Sequence, residues 1–246
     1  MPENNLNTEV NEEKKQLTAE VAATAADTAS DTVADTVADT AALPHDKAAT
    51  DKRAAVKEAV FKYVAMALLI GSFIYFTVYG FLSNPFLESG TASEIGLKYP
   101  TAFKFWGFTT SLALTVNLVY TYTHKGFKYR QVKIAGYVLM GLGVACLMTC
   151  VHIPSTRVPG IQMYAHWATA LLFALFFAAA IIIHLAFPDK PNKKYKIALM
   201  CFGGLLLAIV IALLAAGKNG FIESLPMWMA YVIVFLDNFT PALEDK

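Results

Sequence analysis

The sequence predicts an all-α fold, a polytopic membrane helix bundle with about six transmembrane helices and both chain ends on the cytoplasmic side. Three observations predict it: an apolar composition, six separate apolar runs, and an uneven distribution of lysine and arginine. Apolar residues make up 56% of the chain, and the mean hydropathy is +0.47. Soluble domains contain roughly 45–50% apolar residues, so the composition argues against an ordinary soluble fold. The net charge of +1 gives no case for nucleic acid as a partner.

Six apolar runs each approach the roughly 20 residues that an α-helix needs to cross a bilayer. They cover residues 63–81, 102–122, 134–151, 163–187, 197–216 and 221–236. The last run is the shortest, contains Pro226 and ends at Asp237, so a re-entrant or partial segment stays open beside a full crossing. The sequence therefore predicts a membrane domain over residues 51–240 and a short cytoplasmic C-terminus over residues 241–246.

Residues 1–50 are predicted to be a disordered acidic tail on the cytoplasmic side. Tandem four-residue repeats with one aspartate each occupy residues 26–41, and no Phe, Tyr or Trp precedes Phe61. Such a segment cannot bury enough apolar surface to offset the entropy that the chain loses on folding. The start of the chain is acidic and has no apolar core, which is unlike a signal peptide.

The basic residues predict the orientation of the helices. Thirteen lysines and arginines lie in the segments 47–62, 124–133 and 188–196, against four beside the other connections. Cytoplasmic connections carry the excess of Lys and Arg, so the N-terminus is expected inside, and six crossings return the C-terminus to that side. The expected location is the plasma membrane, as in a bacterial inner membrane protein that crosses several times. The residues expected to contact anionic lipid of the inner leaflet are Lys125, Lys128, Arg130, Lys193 and Lys194.

Four ionisable residues lie near the predicted exoplasmic ends of the helices. They are Glu94, His152, His166 and Glu223. Ionisable groups inside membranes are costly and often functional, which makes this outer rim a candidate site. Three uses stay open: binding a divalent metal with His152 and His166 as nitrogen ligands, acid–base chemistry, or recognition of a polar headgroup. The alternative is that each residue only hydrates its own helix end.

Three other polar residues receive structural interpretations. Asn117, in the middle of the second run, is interpreted as a contact between helices, because a single amide in a membrane helix usually binds a neighbouring helix. His184 and His124 are interpreted as residues of the cytoplasmic membrane interface.

Several short motifs together resemble a known family. They are Ser93-Glu94-x-Gly96, Trp106-Gly107, His152-x-Pro154, His166, and Gly220-x-x-Glu223 followed by Trp228. Over about residues 60–240 the chain is similar to the Frag/DRAM/Sfk group of six-helix membrane proteins, above all to its uncharacterised bacterial relatives. That resemblance implies a lipid-related role, since members are linked to glycolipid-anchor remodelling, phosphoinositide regulation and autophagy. It implies no particular reaction.

The preferred function is therefore lipid-related: binding of a headgroup, or remodelling of a lipid, at the exoplasmic rim, with membrane lipids as partners. A small transporter or channel subunit and a non-catalytic membrane scaffold are the alternatives. The sequence contains no Gly-x-Ser-x-Gly elbow, His-Glu-x-x-His, phosphate-binding loop or dinucleotide fingerprint. Without these motifs, the sequence assigns neither a reaction nor a cofactor. Whether the chain is an enzyme stays open.

The orientation can be tested with single cysteines in a cysteine-free background. Cysteines at Ser89 and Ser155 are expected to react with a membrane-impermeant thiol reagent in intact cells, because the basic residues place these connections outside. A cysteine at Gln131 is expected to react only after lysis. The reverse labelling pattern would overturn the orientation.

Overall fold

The computed structural model describes residues 44–156 and 158–243, apart from the side chains of residues 44–51 and 216. Most of the predicted tail, residues 1–43, and the last residues, 244–246, lie outside the described residues. The chain divides into Met1–Glu58 and Ala59–Lys246. The described part of the first unit is the start of one helix, and the bundle below belongs to the second unit.

The described residues form seven α-helices and two 3-10 turns and contain no β-sheet, so the predicted all-α fold is confirmed. The helices are α1 (Pro44–Gly80), α2 (Ala92–Lys98), α3 (Pro100–His124), α4 (Arg130–His152), α5 (Ile161–Ala186), α6 (Lys193–Ala216) and α7 (Gly220–Phe239). The 3-10 turns are Glu88–Gly90 and Pro241–Leu243. Each of the last five apolar runs lies within four residues of the matching helix at both ends.

Five of these helices are long and apolar enough to cross a membrane: α4, α5, α6, α7 and the part of α1 from Lys52 to Gly80. The chain is thus a multi-pass membrane protein. Helix α3 has 25 residues, a sufficient length, but it is less apolar because Thr110, Asn117 and Thr121 are among its 12 buried residues. Six crossings therefore remain a prediction. The last run forms one continuous helix of 20 residues through Pro226, as a full crossing requires.

The long helices alternate in direction, so their connections gather at two ends. At the basic end, the connection after α3 pairs with the connection after α5 through a β-bridge between Phe127 and Pro188. Asn192 before α6 also donates to the Leu243 carbonyl after α7 at 2.8 Å. At the opposite end, which we call the loop end, the connection from α1 to α3 contacts the start of α7. The alternation agrees with the one that the basic residues predict.

Helix α3 is joined to α1 and α7 by buried hydrogen bonds. The Asn117 side chain is fully buried, and its Nδ2 donates to the Ala65 carbonyl of α1 at 2.8 Å. Asn238 Nδ2 of α7 donates to the Asn117 carbonyl at 3.1 Å, while Thr121 Oγ1 donates to Asn238 Oδ1 at 2.7 Å. The interpretation of Asn117 as a contact between helices agrees with this geometry. Such interhelical bonds contribute about 0.6 kcal/mol each on average in a membrane.

A second set of hydrogen bonds joins the same three helices nearer the loop end. The Tyr231 hydroxyl of α7 donates to Thr110 Oγ1 of α3 at 3.2 Å and lies 2.7 Å from Ser72 Oγ of α1. Because one hydroxyl proton serves Thr110, Ser72 is the donor to Tyr231. The polar side chains of the helix middles therefore point into the bundle.

Glycines mark the positions where the chain approaches itself most closely. A Cβ on Gly107 would meet the Val151 side chain, and a Cβ on Gly136 would meet the Tyr122 ring. At the loop end, a Cβ on Gly220 would meet the Gly90 carbonyl, which is backbone and cannot rotate away. Only glycine therefore lets the start of α7 contact the 3-10 turn at Glu88–Gly90.

Replacing Gly220 with alanine tests this contact. The added methyl group must push two backbone segments apart, and we expect the melting temperature in nanodiscs to fall by the equivalent of about 1–3 kcal/mol. Gly141→Ala is the matched control, since nothing lies within 4 Å of the new methyl group. An equal effect of both substitutions would show that the Gly90–Gly220 contact is not a constraint on the fold.

Candidate functional site

The loop end is built by the connection between α1 and α3, which folds over the first turn of α7. The Phe221 amide donates to the Pro85 carbonyl at 2.7 Å, and the Gly220 amide donates to the Leu87 carbonyl at 3.3 Å. These bonds satisfy amides that a helix start leaves without a partner. The short helix α2 follows, with Thr91 as its N-cap. Ser93 of α2 is thereby placed inside the bundle.

His166 on α5 is fully buried beneath α2 and is held by polar contacts on both ring nitrogens. Its Nδ1 lies 2.9 Å from the Ile153 carbonyl and 3.2 Å from the Cys150 carbonyl, while its Nε2 lies 3.0 Å from Ser93 Oγ. Carbonyl oxygens only accept, so Nδ1 carries the proton in the neutral ring and Nε2 accepts from the serine hydroxyl. The hydrogen bonds of His166 thus join α2 and the end of α4 to α5.

Glu223 in the first turn of α7 binds the same short helix. Its Oε2 accepts from the Ala92 amide at 3.1 Å, and its Oε1 lies 3.8 Å from Lys218 Nζ. The glutamate side chain is 31% exposed and the lysine side chain 39% exposed, so solvent screens this long ion pair. The amide contact is the one that positions the carboxylate, because charge-assisted hydrogen bonds to a backbone amide are directional.

A cavity of about 100 Å³ lies between α1, α2, α3, α4, α5 and α7. We call it the loop-end cavity. Aromatic and aliphatic side chains form most of its wall, with Ser93, Glu223 and Ser224 on one side. The remaining lining residues are Phe76, Ala92, Phe103, Trp106, Leu147, Cys150, Ala170, Phe173, Ala174, Pro226 and Met227. The cavity is therefore amphipathic.

Trp106 lines this wall and carries a buried indole N–H. Its side chain is 6% exposed, and its Nε1 has no hydrogen-bond partner among the described residues. An indole N–H only donates, and a buried donor without an acceptor usually costs about 1–3 kcal/mol. The ring stacks on Phe103 at 5.3 Å and on Tyr79 at 6.1 Å between centroids, so its orientation is fixed.

The structure brings two of the four outer-rim residues together and leaves two apart. His166 and Glu223 both bind α2, through Ser93 and Ala92 respectively, and these two α2 residues line the loop-end cavity. Glu94 is partly buried in the first turn of α2 and does not line the cavity. His152 is exposed, and its Nδ1 lies 2.7 Å from the Met148 carbonyl of its own helix.

A divalent metal at His152 and His166 stays a prediction, and the contacts define what it would require. Both nitrogens of His166 contact protein oxygens, so a metal would have to displace Ser93 or the two carbonyls. In the described parts of the chain, no three His, Cys, Asp or Glu side chains lie close enough together to hold a metal ion.

A second buried polar cluster lies at the basic end, where His184 was expected at the interface. His184 is 3% exposed, and its Nε2 lies 2.9 Å from Asp237 Oδ2 of α7, at an angle unsuited to a hydrogen bond. Tyr195 of α6 donates to Asp237 Oδ1 at 2.9 Å. A small cavity of about 10 Å³ adjoins His184 and Asp237. The sequence placed Asp237 only at the end of a run and gave no sign of its partners.

Lys125, one of the five basic residues predicted to contact lipid, lines a separate cavity of about 580 Å³ at this end. Lys125 and Lys190 line it together with Asp189 and Asn192. The remaining predicted residues are exposed or partly buried on the same end: Lys128, Arg130, Lys193 and Lys194. Their contact with anionic lipid stays a prediction.

No family model, curated protein or solved structure matches the chain. The resemblance to the Frag/DRAM/Sfk group therefore stays a prediction, and so does the lipid-related role that it implies. The geometry of the loop-end cavity is the basis for assigning a function.

Replacing His166 with alanine tests whether this residue holds the loop end together. The change leaves the Ser93 hydroxyl and two buried carbonyls without their partner, so we expect a loss of about 1–3 kcal/mol in thermal stability. His152→Ala is the control, because an exposed side chain on the same end should change stability by less than about 0.5 kcal/mol. If His166→Ala unfolds at the wild-type temperature, the ring does not fasten α2 to α5.

Proposed function

We propose that this chain is a multi-pass protein of the plasma membrane, oriented as the basic residues predict, that binds a lipid headgroup in the loop-end cavity. The observation that carries the proposal is the amphipathic wall of this cavity. A carboxylate and a tryptophan line it beside other aromatic and aliphatic side chains, and the buried N–H of that tryptophan has no partner among the described residues. Binding sites for small molecules typically combine an apolar wall with a few fixed polar groups.

The position of the cavity in the bundle supports a lipid rather than a water-soluble ligand. Its polar residues, Ser93 and Glu223, lie where α2 meets the start of α7, and the first turn of a helix that crosses the bilayer lies near the headgroups. The apolar residues Ala174 and Met227 lie further along α5 and α7 from the loop end. The small Ala170 and Ala174 side chains on α5 leave the room that the ligand would fill.

The contacts around the cavity favour binding and assign no reaction. His166, a histidine suited to acid–base chemistry, does not line the cavity and is fixed by Ser93 and two carbonyls. Ser224 Oγ donates to the Gly220 carbonyl at 2.7 Å within its own helix. Cys150 lines the wall and lies 3.8 Å from His166 Nδ1, which already faces two oxygens. Each of these groups supports the shape of the cavity.

Transport of a proton or cation is a second candidate, favoured by the buried pair of His184 and Asp237. Ionisable pairs inside membranes commonly mark ion or proton pathways. The adjoining cavity of about 10 Å³ has room for about one water molecule. A transporter should lose flux when Asp237 is replaced by asparagine, whereas lipid binding at the opposite end should persist. No contact favours the scaffold alternative in particular.

The headgroup proposal is tested by filling the cavity. Ala174→Leu places a larger side chain in the loop-end cavity, and we expect native mass spectrometry to show at least a tenfold loss of retained lipid at equal protein concentration. Ala168→Leu is the matched control, because Ala168 lies on the exposed face of the same helix. The free energy of unfolding of both variants should lie within about 1–3 kcal/mol of the wild-type value. Retention of lipid by the folded Ala174→Leu protein would contradict the proposal.

A further inference from the structure

We infer that the headgroup bound in the loop-end cavity is zwitterionic, with a positively charged amine beside Glu223 and an anionic oxygen at the Trp106 indole. This inference rests on the proposed function and names the chemical class of its ligand. Three features of the cavity wall carry it: one carboxylate, a set of aromatic rings, and one donor without an acceptor.

Glu223 is the one charged side chain among the described residues that line the cavity. The Ala92 amide and the Lys218 ammonium group are the two partners of its carboxyl oxygens, at 3.1 and 3.8 Å. The Lys218 side chain is 39% exposed, and its Nζ lies 3.8 Å from Glu223 Oε1. The ammonium group is therefore free to turn toward water, where its charge is solvated. An amine in the cavity would then become the nearest counter-charge of the carboxylate. An anionic headgroup at the same place would be repelled.

The aromatic side chains favour the same charge. Phe76, Phe103, Trp106 and Phe173 all line the cavity. The Phe76 and Trp106 ring centroids are 6.0 Å apart, and Trp106 also stacks on Phe103, so these three rings form one rigid wall. The faces of aromatic rings attract ammonium groups within about 6 Å, and this attraction is stronger where water is excluded. A carboxylate beside several rings is therefore suited to a primary or quaternary amine.

The Trp106 N–H is a hydrogen-bond donor and requires an acceptor atom on the ligand. It is buried without an acceptor, whereas the hydroxyls of Ser93 and Ser224 both have partners inside the protein. An oxygen of the ligand would satisfy this donor. Phospholipids with an ethanolamine or choline headgroup carry an amine and a phosphate oxygen only a few bonds apart. The cavity of about 100 Å³ has room for the amine end of such a headgroup.

The inference is tested by comparing lipids that differ only in the headgroup. Purified protein is offered equal amounts of phosphatidylethanolamine and phosphatidylglycerol with identical acyl chains, and bound lipid is counted by native mass spectrometry. We expect wild type to prefer the amine lipid about tenfold, the range of a desolvated cation–π contact with its counter-charge. Glu223→Gln should weaken this preference, because glutamine keeps an oxygen for the Ala92 amide and loses the charge, while the aromatic rings remain. Glu88→Gln, an exposed glutamate of the same end, should leave the preference unchanged.

Trp106→Phe tests recognition of the anionic oxygen separately from recognition of the amine. This variant retains an aromatic ring and loses the N–H, so we expect weaker binding of both lipids and an unchanged preference for the amine. Soluble phosphoethanolamine is added as a competitor in a further arm. Competition at concentrations near that of the lipid would identify a water-soluble amine as the ligand, with the recognition chemistry unchanged.

The outcomes distinguish the inference from the proposed function. Equal binding of the two lipids by wild type, still blocked by Ala174→Leu, would overturn the zwitterionic headgroup and leave lipid binding intact. A folded Glu223→Gln protein that keeps the wild-type preference would also overturn the zwitterionic headgroup alone. No retained lipid of either kind would overturn both proposals together. If Glu223→Gln fails to fold, the preference of the wild-type protein for phosphatidylethanolamine over phosphatidylglycerol decides whether the inference holds.

Discussion

The loop end depends on one close approach of backbone to backbone, between Gly90 and Gly220. The space there admits no Cβ, and the hydrogen bonds from Gly220 and Phe221 to the preceding connection follow from it. This approach brings the Ala92 amide within reach of Glu223. Without it, α2 would not cover the bundle, and the loop-end cavity would have no polar wall. The candidate site is thus a consequence of how the chain returns between α1 and α3.

The remainder of the bundle is organised by polar groups that must find partners away from water. Helix α3 contacts α1 through Asn117 and α7 through Thr110 and Thr121. Each bond contributes little alone, since a chain in lipid also finds partners before it folds. Together they fix which face of α3 turns inward, because any other rotation would leave several polar side chains in hydrocarbon.

Local sequence patterns predicted the helices well, and they predicted the sites only in part. Apolar runs report helices because each crossing has to be continuous, and the paired connections agree with the alternation expected from the basic residues. His166 and Glu223 could be grouped by depth alone. Depth does not indicate helix rotation, and for that reason Glu94 and His152 were grouped with them although their side chains lie elsewhere. The contact of His184 with Asp237 joins residues 53 positions apart, which no spacing rule connects.

The most direct test of lipid binding at the loop end is to map where a lipid lies on the wild-type protein. A phospholipid with a photoreactive group near its headgroup is activated in the membrane, and the adducts are located by peptide mass spectrometry. The account predicts adducts concentrated on residues that line the loop-end cavity, such as Phe103, Ala174 and Met227. Adducts confined to outward-facing residues of α6, such as Leu207 and Leu214, would contradict it.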